Sequence, residues 1–271
     1  MRIQAVAPSV YVISGFTNGN LLAVVGTQSV LLVDGQSEKR VALADSALRT
    51  VTDLPVRTLI NTHYHDDHIG GNPYWRSRGA TIIGQRNLPV EARKDTTITE
   101  LEWHRTPASP QSLPDRTFDD SLTLDHEGQT VVLLHPPAAH TSGDAMIWLP
   151  GLNIIHTGDL LEIGAPPFLD WWGGGTLDGM IAGIDQALRI TNAQTLYVPG
   201  HGDPVWRDAV IAYRAMLVAV RERITPTVRA GETPEVIAAA LPLADYDSRF
   251  GGARYTARFV QIIAMGLARS Q

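Results

Sequence analysis

Cysteine is absent from the 271 residues of the chain. Disulfide bonds and thiolate ligands to a metal are therefore excluded. The chain also lacks any apolar run that approaches the about 20 residues of a membrane span. Basic residues number 22 against 28 acidic ones, which leaves a net charge of -6. Because this balance provides no basic surface for nucleic acid or for an anionic membrane, we expect neither as a partner.

The composition is typical of a globular protein, with 44% hydrophobic and 18% charged residues. A chain of this length can bury most of its apolar surface, and no repeat or low-complexity linker divides it. We therefore expect a single domain over residues 1–271. The N-terminal residues Met1 to Gln4 lack the apolar core of a signal peptide. The expectation is a soluble protein, either cytoplasmic or periplasmic after removal of a leader, with no prediction of its oligomeric state.

The predicted secondary structure begins with strands. Three segments with apolar residues at every second position, separated by Gly and Asn turns, predict an antiparallel meander. A helical pattern and another apolar strand follow. These predictions place strands at 9–14, 21–25 and 30–34, a helix at 38–50 and a strand at 56–61.

Strands and helices continue through the rest of the chain. Three prolines within 105–116 predict a surface loop there. The order of elements predicts an α/β fold in which two sheets face each other and helices cover both outer faces. The further predicted strands are 81–84, 122–124, 130–135, 145–149, 154–156 and 195–198, and the helices are 88–97, 177–190, 205–223, 234–241 and 255–268.

A cluster of metal-binding residue types follows the predicted strand 56–61. Three histidines and two aspartates stand within six positions, His63-Tyr64-His65-Asp66-Asp67-His68. Neutral imidazole and carboxylate suit zinc or iron, and the end of a strand is where an α/β protein can expose them to substrate. A solvated polar turn is the alternative interpretation, and we assign it to Asp66 alone.

Three more residues of ligand type follow predicted strands elsewhere in the chain. His140 comes after 130–135, Asp159 after 154–156 and His201 after 195–198. Each has a glycine nearby, which permits close approach of the backbone. We expect these strand ends to converge on one site. The other histidines, His104, His126, His135 and His156, are interpreted as structural or surface residues.

Together these motifs resemble the metallo-β-lactamase-fold hydrolase superfamily, with a ligand set similar to that of glyoxalase II and lactonases. The resemblance covers about Val10 to His201 and includes His-x-His-x-Asp-His, Thr-Gly-Asp and Gly-His-Gly. It implies a four-layer αβ/βα sandwich of two mixed sheets. It also implies one metal held by His63, His65 and His140, a second held by Asp67, His68 and His201, and Asp159 as a bridge.

The resemblance implies a dinuclear zinc hydrolase, in which a metal-bound hydroxide attacks an ester, lactone, thioester or β-lactam. Iron or manganese could replace zinc. Asp67 is the candidate catalytic residue, which would orient the water or pass a proton to the leaving group. Dedicated β-lactamases of this fold carry Cys or Ser where Asp159 stands, so activity on β-lactams is expected only as a side activity. An iron-dependent oxidoreductase of the same fold, a phosphodiesterase and a non-catalytic metal-binding protein stay open as alternatives.

Three aromatic residues are candidates for substrate binding. Trp171 and Trp172 lie in a Pro- and Gly-rich segment shortly after Asp159, and Phe16 lies at a predicted hairpin tip. A packing role is the alternative for the two tryptophans, because large aromatic side chains usually serve the core. The expected partner of the site is a small-molecule substrate.

Overall fold

The computed structural model describes residues 1–15, 18–99 and 102–269. By its contacts the chain divides into two compact units. The first comprises Met1–His135 and Gly143–Gly158, and the second comprises Pro136–Ser142 and Asp159–Gln271. The single domain expected over residues 1–271 stays a prediction.

The strands and helices of the described residues are numbered in chain order. The strands are β1 (Arg2–Ala7), β2 (Val10–Gly15), β3 (Asn18–Val25), β4 (Val30–Val33), β5 (Val56–Ile60), β6 (Thr81–Gln85), β7 (Thr96–Ile98), β8 (Trp103–Arg105), β9 (Arg116–Phe118), β10 (Ser121–His126), β11 (Gln129–Leu134), β12 (Met146–Leu149), β13 (Ile154–Glu162), β14 (Leu196–His201) and β15 (Val205–Trp206). The α-helices are α1 (Val41–Leu48), α2 (Asp66–Ile69), α3 (Asn72–Arg76), α4 (Leu88–Ala92), α5 (Leu177–Ile190), α6 (Arg207–Arg229), α7 (Pro234–Ala239), α8 (Asp247–Phe250) and α9 (Ala253–Arg269).

The first unit is built on a seven-stranded sheet in the order β1-β2-β3-β4-β5-β6-β9. Strands β1 to β4 pair antiparallel, as the alternating pattern predicts for β2, β3 and β4, and β4, β5, β6 and β9 pair parallel. All four residues of β4 are buried, which is typical of a strand covered on both faces. Helix α1 connects β4 to β5 and buries Val41, Ala44 and Leu48. The buried core of this sheet includes Leu21, Leu32, Leu59, Trp75 and Ile82.

Antiparallel pairing also joins β10, β11, β12 and the beginning of β13 in the first unit. A separate small hairpin consists of β7 and β8. In the second unit, the end of β13 adjoins β14, which pairs antiparallel with β15. Helix α6 packs against α5 and α9 there. The Thr176 hydroxyl caps α5 by accepting the Gly179 N–H, which satisfies one of the amide donors at the helix start.

Several element boundaries differ from the sequence-based expectation. The predicted helix 88–97 is wrong beyond Ala92, because Thr96, Thr97 and Ile98 form β7, and β-branched residues favour strands. The predicted helix 205–223 begins too early and ends too soon, since Val205 pairs in β15 and α6 continues to Arg229. Strand β1 was not predicted.

Two predicted strands near the candidate ligands are longer than expected. Strand β13 reaches Glu162 rather than residue 156, and β14 reaches His201 rather than residue 198. Asp159 and His201 therefore lie within strands, not after them. The predicted α/β class, with helices and a mixed sheet, is confirmed. No helix within the described ranges combines the length and apolar character that crossing a bilayer requires.

Candidate metal centre

The hexapeptide His63 to His68, in the first unit, turns sharply after β5. This turn brings its three histidines close together. His65 has extended backbone and precedes the single turn of α2, which brings His68 back toward His63. The ring centroids of His63 and His68 are 4.1 Å apart, and those of His63 and His65 are 4.7 Å apart. The Asp67 carboxylate lies 3.6 Å from the His68 Nε2 atom. Ligand-type atoms of neighbouring residues therefore lie as close together as metal ligands require.

Asp34 contacts His68 directly and contacts His63 through Thr62. Its fully buried carboxylate lies 2.8 Å from the His68 Nδ1 atom. It also accepts hydrogen bonds from the Thr62 N–H and hydroxyl, each at 2.8 Å. Since the Thr62 hydroxyl donates its only proton to Asp34, it must accept from the His63 Nδ1 atom, which lies 3.0 Å away.

These hydrogen bonds determine the tautomers of both rings. A carboxylate can only accept, so His68 carries its proton on Nδ1, and His63 does the same through Thr62. The lone pair of each neutral ring is then on Nε2. A metal-binding histidine usually has its other ring nitrogen donating in this way, most often to a carboxylate, a backbone carbonyl or water.

The backbone around His68 tolerates little additional volume. The Gly19 N–H donates to the Asp67 carboxylate at 3.1 Å, and a Cβ atom at Gly19 would lie 2.6 Å from the His68 ring. The Asn61 amide donates to the His68 carbonyl at 3.1 Å. Asp34 itself has a φ of 64°, an uncommon conformation for a residue other than glycine. The unit therefore holds Asp67 and His68 in one arrangement.

The second unit brings His140 and His201 close to one oxygen of Asp159. The His140 Nε2 atom lies 3.6 Å from the Asp159 Oδ2 atom, and the His201 Nε2 atom lies 3.4 Å from the same oxygen. Two ligands of one tetrahedral zinc, with bonds of about 2.1 Å, are about 3.4 Å apart. The donor types and separations in both units therefore fit metal ions.

The segment after Asp159 fixes His140. The Phe168 carbonyl lies 2.8 Å from the His140 Nδ1 atom, so this ring also carries its proton on Nδ1. The Asp170 N–H donates to the His140 carbonyl at 3.1 Å. A Cβ atom at Gly175 would lie 2.1 Å from that same carbonyl oxygen, so only glycine fits where this loop passes His140.

The other candidate residues are placed as follows. Trp171 and Trp172 are half-buried and stack on each other, with ring centroids 4.0 Å apart. Phe16 lies outside the described residues. Asp66 is exposed, as predicted; desolvation is the main cause that raises its pKa, and the Asp67 carboxylate adds to the effect.

The remaining histidines contact ordinary structural partners. His126, His135 and His156 each have a ring nitrogen within 3.3 Å of a backbone carbonyl of the first unit, and His104 is exposed. Sequence reasoning missed Asp34, Thr62 and Phe168. The only signal for Asp34 is its position directly after the buried strand β4 and before Gly35.

Comparison with known proteins identifies the family. The model of the metallo-beta-lactamase superfamily matches residues 14–201. The metallo-beta-lactamase type 2 of Bacteroides fragilis is 22% identical over 192 residues, which are 70% of this chain and 71% of that protein. A solved metallo-beta-lactamase from Pontibacter korlensis is similar with a TM-score of 0.63 at 18% identity, over 80% of this chain and 98% of that one. The inverting sec-alkylsulfatase from a Pseudomonas species is similar with a TM-score of 0.68 at 16% identity, over 99% of this chain and 50% of that one.

The structural likenesses, at this low identity, show the fold alone, and they confirm the predicted fold class. The matched range includes all seven predicted ligands. Family and ligand types together suggest a metal-dependent hydrolase. Since the family model matches more than half of its residues, the chain belongs to the metallo-beta-lactamase superfamily.

Proposed function

We propose that this protein is a dinuclear zinc hydrolase that cleaves an ester, lactone, thioester or β-lactam. The observation that carries the proposal is the fixed tautomer of His63, His68 and His140. In each of these residues a hydrogen bond at Nδ1 leaves the lone pair on Nε2. A histidine that binds a metal through Nε2 needs this tautomer.

The ligand assignment follows the resemblance seen in the sequence and is part of the proposal. Family membership supports it, as do the donor separations within each unit. His63, His65 and His140 would hold one metal, Asp67, His68 and His201 the other, and Asp159 would bridge them.

When bound, two zinc ions supply a hydroxide at neutral pH and polarise the carbonyl under attack. The residues of the chain contribute position and proton transfer. The Asp67 Oδ2 atom accepts from the Gly19 N–H, and in this proposal the Asp67 carboxylate orients a water molecule or passes a proton to the leaving group. No side-chain nucleophile is needed in this mechanism.

Three considerations favour a carbonyl substrate of small size. Asp159 stands where dedicated β-lactamases of this fold have Cys or Ser, which favours esters, lactones and thioesters over β-lactams. The acidic net charge of -6 does not favour a polyanionic substrate. The half-buried tryptophans Trp171 and Trp172 offer apolar surface to a small molecule. We keep Trp171, Trp172 and Phe16 as proposed substrate-binding residues.

The test is a substrate panel combined with metal analysis. Esters, lactones, thioesters, β-lactams, phosphodiesters and alkyl sulfates are assayed with and without chelator, on protein whose metal content has been measured. We expect hydrolysis of a carbonyl substrate, two zinc ions per chain, and loss of activity in His140→Ala but not in the exposed control His104→Ala. Iron with oxygen consumption, phosphodiester cleavage alone, or full activity in Asp67→Asn would overturn the proposal.

A further inference from the structure

Two side chains bind the backbone of Gly19, where β3 extends beyond its pairing with β4. The last residue pair between these strands is Leu22 with Val33, and Gly19 precedes Leu22 in β3. The Gly19 N–H donates to the Asp67 Oδ2 atom at 3.1 Å, and the Gly19 carbonyl accepts from the Gln36 Nε2 atom at 3.0 Å. Gln36 and the candidate catalytic carboxylate therefore hold the same residue.

The hydrogen bonds of the Gln36 amide allow only one orientation. Its Oε1 atom accepts from the Ser37 N–H at 3.0 Å. Because a backbone N–H can only donate and a carbonyl can only accept, the Nε2 atom must face Gly19. Gln36 and Gly19 are both buried, so a Gly19 carbonyl that lost this donor could not readily replace it with water. The contact between these residues is therefore costly to break.

The backbone of Gln36 has an uncommon conformation. Its φ is 68°, in the left-handed region that residues other than glycine seldom adopt. The Gln36 carbonyl accepts from the Gly71 N–H at 2.6 Å. Asp34, in the same turn, has a φ of 64° and contacts His68. Such conformations persist only where the surrounding structure imposes them, and they cluster at functional sites. The turn 34–36 thus contacts His68 through Asp34 and contacts Gly19 through Gln36.

We propose that Gln36 is a positioning residue, which acts through Gly19 to hold the Asp67 carboxylate in place for the second metal. The inference rests on the proposed function, in which Asp67, His68 and His201 bind that metal. Gly19 meets two of these ligands, because its N–H donates to Asp67 and a Cβ atom there would lie 2.6 Å from the His68 ring. Loss of the Gln36 contact should therefore weaken binding of the second metal and leave the first unchanged.

Two substitutions remove the donor from Gly19. Gln36→Glu keeps the shape of the side chain and an acceptor for the Ser37 N–H, but it places a carboxylate oxygen against the Gly19 carbonyl. Gln36→Gly removes the amide and tolerates the positive φ, so it provides the test if Gln36→Glu does not fold.

Gln85→Glu is the matched control. Gln85 is also buried, its Oε1 atom accepts from the Asn87 N–H at 2.6 Å, and its Nε2 atom donates to the Asp119 carbonyl at 3.1 Å. This variant loses the same kind of hydrogen bond within the same unit. It should change neither the Gly19 amide nor the affinity for either metal.

The first measurement is amide hydrogen exchange in protein stripped of metal. The exchange rate of the Gly19 amide is compared with that of Leu22 in the same strand, which corrects for a general loss of stability. We expect this ratio to rise about tenfold in Gln36→Glu and Gln36→Gly. The second measurement titrates the same samples with zinc against a chelating dye. We expect affinity for the second zinc to fall by about 10–100-fold, with the first unchanged.

The two measurements separate this inference from the proposed function. If the wild type binds no zinc or cleaves no carbonyl substrate, the proposed function fails, and the exchange ratio alone decides whether Gln36 positions Gly19. An unchanged ratio in the Gln36 variants would overturn the inference. Equal weakening of both zinc ions, or the same changes in Gln85→Glu, would also overturn it, because a general structural role would explain them.

Discussion

The Asp34 Oδ2 atom lies 2.8 Å from the His68 Nδ1 atom, and both side chains are fully buried. The same carboxylate holds Thr62, whose hydroxyl contacts the His63 ring. In the proposed ligand assignment, His63 and His68 serve different metals. One buried carboxylate therefore supports a ligand of each, although Asp34 itself is not a proposed ligand.

The first prediction concerns this carboxylate. In Asp34→Asn one acceptor oxygen becomes an NH2 donor, which cannot accept from Thr62 or His68. We expect zinc affinity to fall by about 10–100-fold. Competition with a chelating dye measures this affinity. Asp119→Asn, at an exposed carboxylate, should retain wild-type affinity; unchanged affinity in Asp34→Asn would show that the contact is not needed for binding.

The second prediction concerns the close approach of the backbone at Gly19. A Cβ atom there would lie 2.6 Å from the His68 ring, so Gly19→Ala should displace His68 and Asp67. We expect kcat/KM to fall about 100-fold. Gly151→Ala is the matched control, because its Cβ atom would meet only the end of the Gln129 side chain. Equal activities of the two variants would contradict the expected clash.

The third prediction concerns an exposed carboxylate distant in sequence from the ligands. Glu127 accepts hydrogen bonds from Thr27, Gln28 and Ser29, and the Ser29 and Thr27 hydroxyls are the main causes that lower its pKa from 4.5 to about 2. A lowered pKa means that the folded state prefers the ionised form. The resulting stability is fully present above pH 4.5 and is lost as the pH falls toward 2.

Thermal melts between pH 7 and pH 2 test this relation. We expect Glu127→Gln to lower the Tm by roughly 2 °C at pH 7, with the difference from wild type vanishing near pH 2. Glu232→Gln, at another exposed glutamate, should match wild type throughout. A difference that persists or grows at low pH would show that the carboxylate does not stabilise the fold in this way.

The fourth prediction concerns metal removal. The side chains of His63, His68 and His140 are buried in the folded chain. We expect a metal at these side chains to bind the folded chain and not the unfolded one, and such a metal stabilises the fold. We expect chelation to lower the Tm by roughly 5 °C and added zinc to restore it. Magnesium prefers oxygen ligands and should not restore the Tm. A Tm that is insensitive to chelator would contradict metal binding at these buried side chains.

Sequence alone predicted the α/β class and the ligand-rich segments, because ligand-type residues stand beside strands with clear apolar patterns. It did not predict Asp34, since a single aspartate carries no signal of a contact with a side chain 34 positions away. The ends of β13 and β14 were also missed. Asp159 and His201 are polar residues within buried strands, and a polar residue normally indicates that such a strand has ended.

Other differences have local causes. The residues after Ala92 have a plausible helical pattern. Pairing with β8 nevertheless determines the conformation of Thr96 to Ile98, because tertiary context overrides local propensity. The stacking of Phe168 between His140 and Trp172 depends on the path of a loop rich in Pro and Gly. No periodic pattern describes such a path.

The most direct test of the account is the zinc dependence of hydrolysis in protein first stripped of metal. Zinc is added in known equivalents, and the rate with a cleaved carbonyl substrate is followed to saturation. The account predicts no activity without metal and saturation at two zinc ions per chain. Saturation at one ion, or hydrolysis that persists without any metal, would contradict it.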